Sequence, residues 1–136
     1  MNPSGYLEVE HTADWALKVW GPNLADLCRQ AAAGMLHLTG AVLAPDPAAE
    51  RKIQLDAPDP ESLLVVWLEE ILHDLESHGL APSDMHLRTE GDTRLRGTIV
   101  QHPLLQPGKT IKAVTYNDLH IQRSPEGCEA TIVFDV

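Results

Sequence analysis

Residues 59–79, DPESLLVVWLEEILHDLESHG, are punctuated at both ends, and that constrains the fold more than any other stretch. Asp59 is a strong N-cap, and Pro60 stands at the first helical position, where its missing N–H costs nothing. Gly79 supplies the stop. Between them Leu64, Trp67, Leu68, Ile71, Leu72 and Leu75 recur at helical spacing. Glu69, Glu70, Asp74 and Glu76 make the other side, read here as a solvated acidic face. Such a helix needs an apolar surface to lie on, and the sequence offers one partner helix and several strands.

The partner helix starts near Asn23 and ends before Gly40, with Leu24, Leu27, Cys28, Ala31, Met35 and Leu38 at helical spacing. Gly34 lies inside it and weakens it, unless a neighbour packs closely there. The run Trp15–Trp20 reads as a strand, as does RKIQLDA (51–57). MHLRTEGDTRLRGTIVQ (85–101) reads as a hairpin turning at Gly91-Asp92. TIKAVTYNDLHIQ (110–122) reads as a strand with an irregularity near Asn117-Asp118, and SPEG (124–127) as a turn. In CEATIVFDV, Cys128, Ala130, Ile132, Phe134 and Val136 face one way and Glu129, Thr131, Val133 and Asp135 the other. Residues 41–52 and His102-Pro103 read as loop. The order is strand, helix, strand, helix, then four strands. It predicts one domain over residues 1–136. The expected class is α+β, a two-layer sandwich with a largely antiparallel sheet and both helices on one face.

The net charge is −10, from 20 acids and 10 bases. This opposes a phosphate-driven grip on nucleic acid, which needs Lys and Arg to replace counterions. It suits either an encounter with a basic partner or plain solubility. Cys28 and Cys128 form no CxxC pair and fall in apolar patterns, so two buried thiols are expected. MNPSGYLEVEH lacks the basic and apolar regions of a signal peptide, and no run has the length of a membrane span. A cytoplasmic protein without membrane contact is the expectation.

The carboxylates at the two ends of the sequence carry the candidate chemistry. Asp14 enters the first long strand, and Asp135 is the penultimate residue, followed by Val136 with an α-carboxylate if the chain ends there. Carboxylates brought together repel, and a hard divalent cation relieves the conflict. Calcium, magnesium and manganese all favour such oxygen ligands. Spacing alone leaves the alternative open that Asp14 caps a turn and Asp135 frays. His11 and Thr12 adjoin Asp14. His73 and His78 stand five apart, which is wrong for one helical face. No zinc spacing, nucleophile elbow or phosphate loop occurs. Lys112 is the one base in an apolar stretch, either snorkelling to solvent or reaching a polar group across the sheet.

Four stretches together resemble the archease family. They are EHTADWALKVWGPNLADLCRQAAAGM (10–35), LLVVWLEEILH (63–73), IKAVTYNDLHI (111–121) and the terminal IVFDV (132–136), in the family's order and spacing. The resemblance implies a small α+β accessory protein with no catalytic residue of its own. It would assist the RtcB-type RNA ligase, which uses GTP and manganese and passes through a guanylylated histidine in tRNA splicing and RNA repair. The helper's implied role is to promote guanylylation and repeated turnover. A looser implied association is a chaperone-like one with a tRNA methyltransferase. The family's metal site falls on Asp14, Asp135 and Val136, with Lys112 beside it and His11 and Thr12 in support. Calcium or manganese is the implied ion. The family commonly has His where this chain has Asn117, and Asn cannot titrate near neutral pH. A metal-assisted hydrolase acting alone is the alternative of a different class.

Overall fold

The computed structural model describes residues 3–9 and 15–136. Its elements run β1 (Gly5–Val9), β2 (Trp15–Gly21), α1 (Leu24–Thr39), β3 (Val42–Leu43), β4 (Ala49–Asp56), α2 (Pro60–His78), β5 (Leu80–Glu90), β6 (Arg94–Gln106), β7 (Ala113–Val114), β8 (Gln122–Ser124) and β9 (Gly127–Asp135). The α+β class holds, and every strand pairing is antiparallel. The strands divide into two sheets. One has five strands, with β2 between β1 and β9, and β7 and β8 both pairing β9. The other has four, with β6 paired by β3, β4 and β5.

The helices form where local chemistry closes their ends. Asn23 accepts the Asp26 N–H at 2.9 Å, and Asp59 accepts the Ser62 N–H at 2.7 Å. Gly40 and Gly79 end them in the left-handed region, at φ 72° and 61°. The helices pack on one another and on strands of both sheets. Trp67 and Phe134 are among the largest fully buried side chains of the shared core. The Trp67 indole donates to the Cys28 carbonyl oxygen at 2.8 Å, so the buried N–H is satisfied across the helix pair. Gly34 is where α1 meets the five-stranded sheet. An added Cβ there would lie 2.6 Å from Leu17 Cδ2 and 2.8 Å from Tyr6 Cγ, so the residue must be glycine for this approach.

Several expectations need correction. GYLEV, not read as a strand, forms β1, because it finds β2 as a partner. Residues 42–43 and 49–50 belong to strands, leaving 44–48 as loop. His102 and Pro103 lie inside β6 rather than in a loop: Pro103 pairs Leu80, and His102 bonds Ser83 Oγ and the Ala44 carbonyl oxygen, each at 2.8 Å. His73 and His78 do meet, edge to face, with ring centroids 5.7 Å apart at the helix end. The stretch 110–122 pairs as strand only at Ala113–Val114 and again from Gln122. Asp118 has φ 55°, and Leu119 N–H returns to the Tyr116 carbonyl oxygen at 3.1 Å, which turns the chain away from β9.

The acidic side of α2 is not simply solvated. Asp74 is buried, and the Arg51 guanidinium reaches it at 2.7 Å while reaching Glu70 at 2.8 Å. Gln101 donates to the same Asp74 oxygen at 2.8 Å. These bonds raise the Arg51 pKa, the Glu70 bond most, with burial opposing. Both cysteines are buried free thiols as expected. Burial, with a smaller contribution from Cys128, pushes the Cys28 thiol up to about 12. Burial also raises Cys128, against the lowering effect of Arg123.

Candidate metal centre at the end of the last strand

β9 alternates as its sequence implies. Cys128, Ala130, Ile132 and Phe134 are buried, while Thr131 and Asp135 are exposed. Val133 departs from the pattern and is buried opposite Ala16. On one edge of the strand's end, Trp15 pairs with Phe134. On the other, Ala113 pairs with Asp135 and Val114 with Phe134. The Lys112 N–H donates to the Asp135 carbonyl oxygen at 2.8 Å. Thr115 donates both its N–H, at 2.9 Å, and its hydroxyl, at 3.0 Å, to the Val133 carbonyl oxygen. The backbone that carries Asp135 is thereby fixed from both sides while its side chain projects to solvent. Lys109 stands nearby, its Nζ 5.7 Å from the Trp15 ring centroid, within cation–π range.

The segment 111–121 that closes this edge has few strand bonds, and α2 supplies the missing acceptors. Glu69 accepts the Val114 N–H at 3.1 Å, and Glu61 accepts the Ile121 N–H at 2.8 Å. His120 Nδ1 is a further 3.8 Å neighbour of the same Glu61 oxygen. The two anchored residues, Val114 and Ile121, are buried in the core, as is Ile111 just before them. Sequence reasoning missed both glutamates as supports. The available signal was their spacing: eight residues is about two helical turns, so they share a side of α2.

Of the residues singled out from sequence, Asp135, Val136 and Lys112 come together at this tip. Asp135 is exposed, and Val136 retains 38% of its accessible surface. The Lys112 side chain is also exposed, and it lies just before β7 rather than within a strand. Its link to Asp135 is through backbone, not through the ammonium. Asn117 is exposed and donates its N–H to Thr115 Oγ1 at 3.3 Å. His11, Thr12 and Asp14 lie outside the described residues. Among the described residues no three of His, Cys, Asp and Glu converge to hold a metal ion. What the tip does present is oxygen, from a carboxylate without a hydrogen-bond or ion partner among the described residues and from the last residue. That donor chemistry fits calcium, magnesium or manganese better than a soft metal.

Comparison with known proteins decides the lineage. The pattern of the archease protein family (MTH1598/TM1083) matches residues 6–136. The chain belongs to the archease family. The archease of Methanopyrus kandleri is 34% identical over 136 residues, covering 95% of this chain and 97% of that protein. The archease of Thermococcus gammatolerans is 32% identical, covering 87% of this chain and 88% of its own. Among solved structures, an archease from Thermotoga maritima, described as a "possible chaperone", superposes with a TM-score of 0.71 at 26% identity over 94% of both chains. A Methanobacterium thermoautotrophicum protein of the same fold gives a TM-score of 0.75, covering 97% of this chain and 99% of that one. The two-helix, antiparallel framework described above is therefore an archease framework.

Proposed function

We propose that this protein is the helper of an RtcB-type RNA ligase, promoting the ligase's guanylylation and its repeated turnover in tRNA splicing or RNA repair. It acts as an accessory protein in the cytoplasm, and its working part is the tip that carries Asp135. The observation that supports this reading most is the exposed, backbone-braced Asp135 carboxylate at the end of β9 in an archease framework. Trp15, covalently next to Asp14, pairs with Phe134, covalently next to Asp135. Asp14, Asp135 and an oxygen of Val136 would hold one divalent ion, manganese or calcium. When bound, that ion joins the carboxylates and offers a positive centre to anionic groups of the ligase site.

The chain's own residues do the rest. Lys112 and Thr115 fix the backbone of β9 so that Asp135 points outward. Glu69 and Glu61 hold the covering segment. The net charge of −10 speeds approach to a basic active-site mouth and weakens with salt.

The test is multiple-turnover RNA ligation with the ligase from the same source, limiting enzyme, GTP and manganese. The expected result is more turnovers per ligase, lost in folded Asp14→Ala and Asp135→Ala variants. Equal stimulation by those variants would sink the role of the tip. No stimulation of an active cognate ligase would instead favour a second reading, a chaperone-like partner of a tRNA methyltransferase. The description of the Thermotoga maritima relative as a "possible chaperone" speaks for that reading.

A further inference from the structure

Among the described residues the five-stranded sheet ends at β1, and this end is built unlike the other strand edges. An edge strand offers unpaired N–H and C=O groups to another strand, and proteins blunt such edges with charges, bulges or very short strands. β3, β7 and β8 are only two or three residues long. β4 carries Glu50, Lys52 and Asp56. β5 carries Asp84, Arg88 and Glu90, and its register shifts between Pro82 and Met85. β1 has five residues, GYLEV, with one charge, Glu8. At its centre Leu7 keeps 58% of its surface exposed.

The pairing register shows what this edge presents. Gly5 pairs Trp20, which pairs Glu129, and Leu7 pairs Lys18, which pairs Thr131. Residues directly opposite one another share a face. These two rows lie on the face away from the core, because Leu17 and Val19, which alternate with them, are buried in it. The Trp20 ring leans over Gly5: an added Cβ there would lie 2.7 Å from Trp20 Cζ2. An aromatic ring laid over an edge glycine carries apolar surface to the margin of the sheet. Leu7 and Trp20 line the same open groove of about 600 Å³, so their apolar surfaces adjoin. The charges of the two rows, Lys18 and Glu129, stand 3.6 Å apart and balance one another.

The sequence of β1 also complements itself. Antiparallel pairing about Leu7 sets Leu7 against Leu7 of a second copy. Gly5, with Trp20 over it, then meets Val9, and Tyr6 meets Glu8. No charge faces a like charge, whereas a register centred on Glu8 would oppose two carboxylates. We propose that β1 is the interface of a two-fold dimer, in which two copies join their five-stranded sheets edge to edge through residues 5–9 with Leu7 on the axis. Such a contact is isologous, each copy giving the same patch. A second copy is the fitting occupant because every position of the pairing is matched by the chain's own sequence and the adjoining charges are already balanced. What opposes it is the overall repulsion of two chains of net charge −10, which acts through solvent and is screened by salt. The dimer therefore tightens as salt rises. This inference is independent of the ligase reading.

The test is sedimentation equilibrium of the whole protein. One strand pair with its flanking side chains is a small interface, so a dissociation constant on the order of 0.1 mM is expected, read over concentrations up to about 1 mM. Raising salt from roughly 50 to 500 mM should tighten it several-fold. Leu7→Lys puts two ammonium groups on the axis and should weaken the dimer at least tenfold. Because Leu7 is exposed, the variant should melt as wild type does, which checks its fold. Leu105→Lys removes another exposed leucine, in the other sheet, and should leave the dimer unchanged. Hydrogen exchange of amides in residues 5–9 should slow with concentration in wild type and not in Leu7→Lys. A monomer throughout the range, a dimer indifferent to Leu7→Lys, or equal weakening by Leu105→Lys would overturn the proposal.

Discussion

Glu61 and Glu69 on one side of α2 accept backbone N–H groups from the segment 111–121, whereas Glu70 and Asp74 on the other accept the guanidinium of Arg51. The four carboxylates belong to one helix, and three of them, Glu69, Glu70 and Asp74, were read from sequence as part of one solvated face. Their uses differ because their neighbours differ. Beside Glu61 and Glu69 the chain leaves β9 and cannot complete a ladder, so its buried N–H groups need acceptors from elsewhere. Beside Glu70 and Asp74 lie β4 and β6, paired residue for residue from Ala49 to Asp56, and the acids meet side chains instead. The first side fixes the shape of the candidate site. The second ties a helix to a sheet. The lesson is that acidic surplus on a helix can be structural on both flanks yet bear on function through only one.

Perturbations of different size separate the two sides. The largest acts beneath both and should abolish the contrast. Cys28 lies in the helix–helix core, and its thiol is pushed up from 9.0 to about 12 by burial. The folded protein keeps that proton until about pH 12, while the unfolded chain releases it near pH 9. Stability from this source is therefore complete below pH 9 and is lost as pH rises towards 12. Its upper bound is about 4 kcal/mol, at ~1.4 kcal/mol per pH unit. Urea midpoints at pH 8 and pH 11 should fall more for wild type than for Cys28→Ala. Parallel falls would show that Cys28 is not the source.

Next in size is Asp74→Ala. It strands the buried Gln101 amide, while Arg51, its side chain 35% exposed, can rehydrate. A loss of about 3 kcal/mol in urea unfolding is expected, with no effect on the tip. Glu69→Ala should cost about 1 kcal/mol and speed exchange of the Val114 amide roughly fivefold. Glu69→Gln, whose amide oxygen still accepts, should restore protection. If Glu69→Ala left Val114 exchange unchanged, the bracing of the site by α2 would be wrong. The smallest effect is Glu70→Ala, below about 1 kcal/mol and reduced further by salt, because that pair is about one-third exposed on both sides.

How much of this was legible beforehand follows the range of the interactions. The helix ends were plain because Asn23, Gly40, Asp59 and Gly79 act on their own neighbours in sequence. The alternation in residues 128–135 was legible for the same reason, and it set Asp135 on the face opposite Phe134, although Val133 on that face proved buried. The segment 110–122 misled because its apolar alternation is real, yet its N–H groups are taken by carboxylates some 45 and 60 residues away. Asp74 looked solvated because nothing local announces Arg51 or Gln101. Pro103 looked like a loop residue, but it sits in β6 opposite Leu80, where the strand tolerates its missing donor. The role of Glu69 was invisible for the reason Asp74's was: only the folded chain brings its partner near.

The account rests on the end of β9 being an oxygen-ligand cation site. The most direct test is calorimetric titration of manganese, and then calcium, into wild type and Asp135→Asn. Asn keeps the size and the backbone bond to Lys112 but removes the charge, and the exposed position predicts unchanged melting. One saturable site in wild type, weakened at least tenfold in Asp135→Asn, is the predicted result. Equal affinity in the two proteins would contradict it.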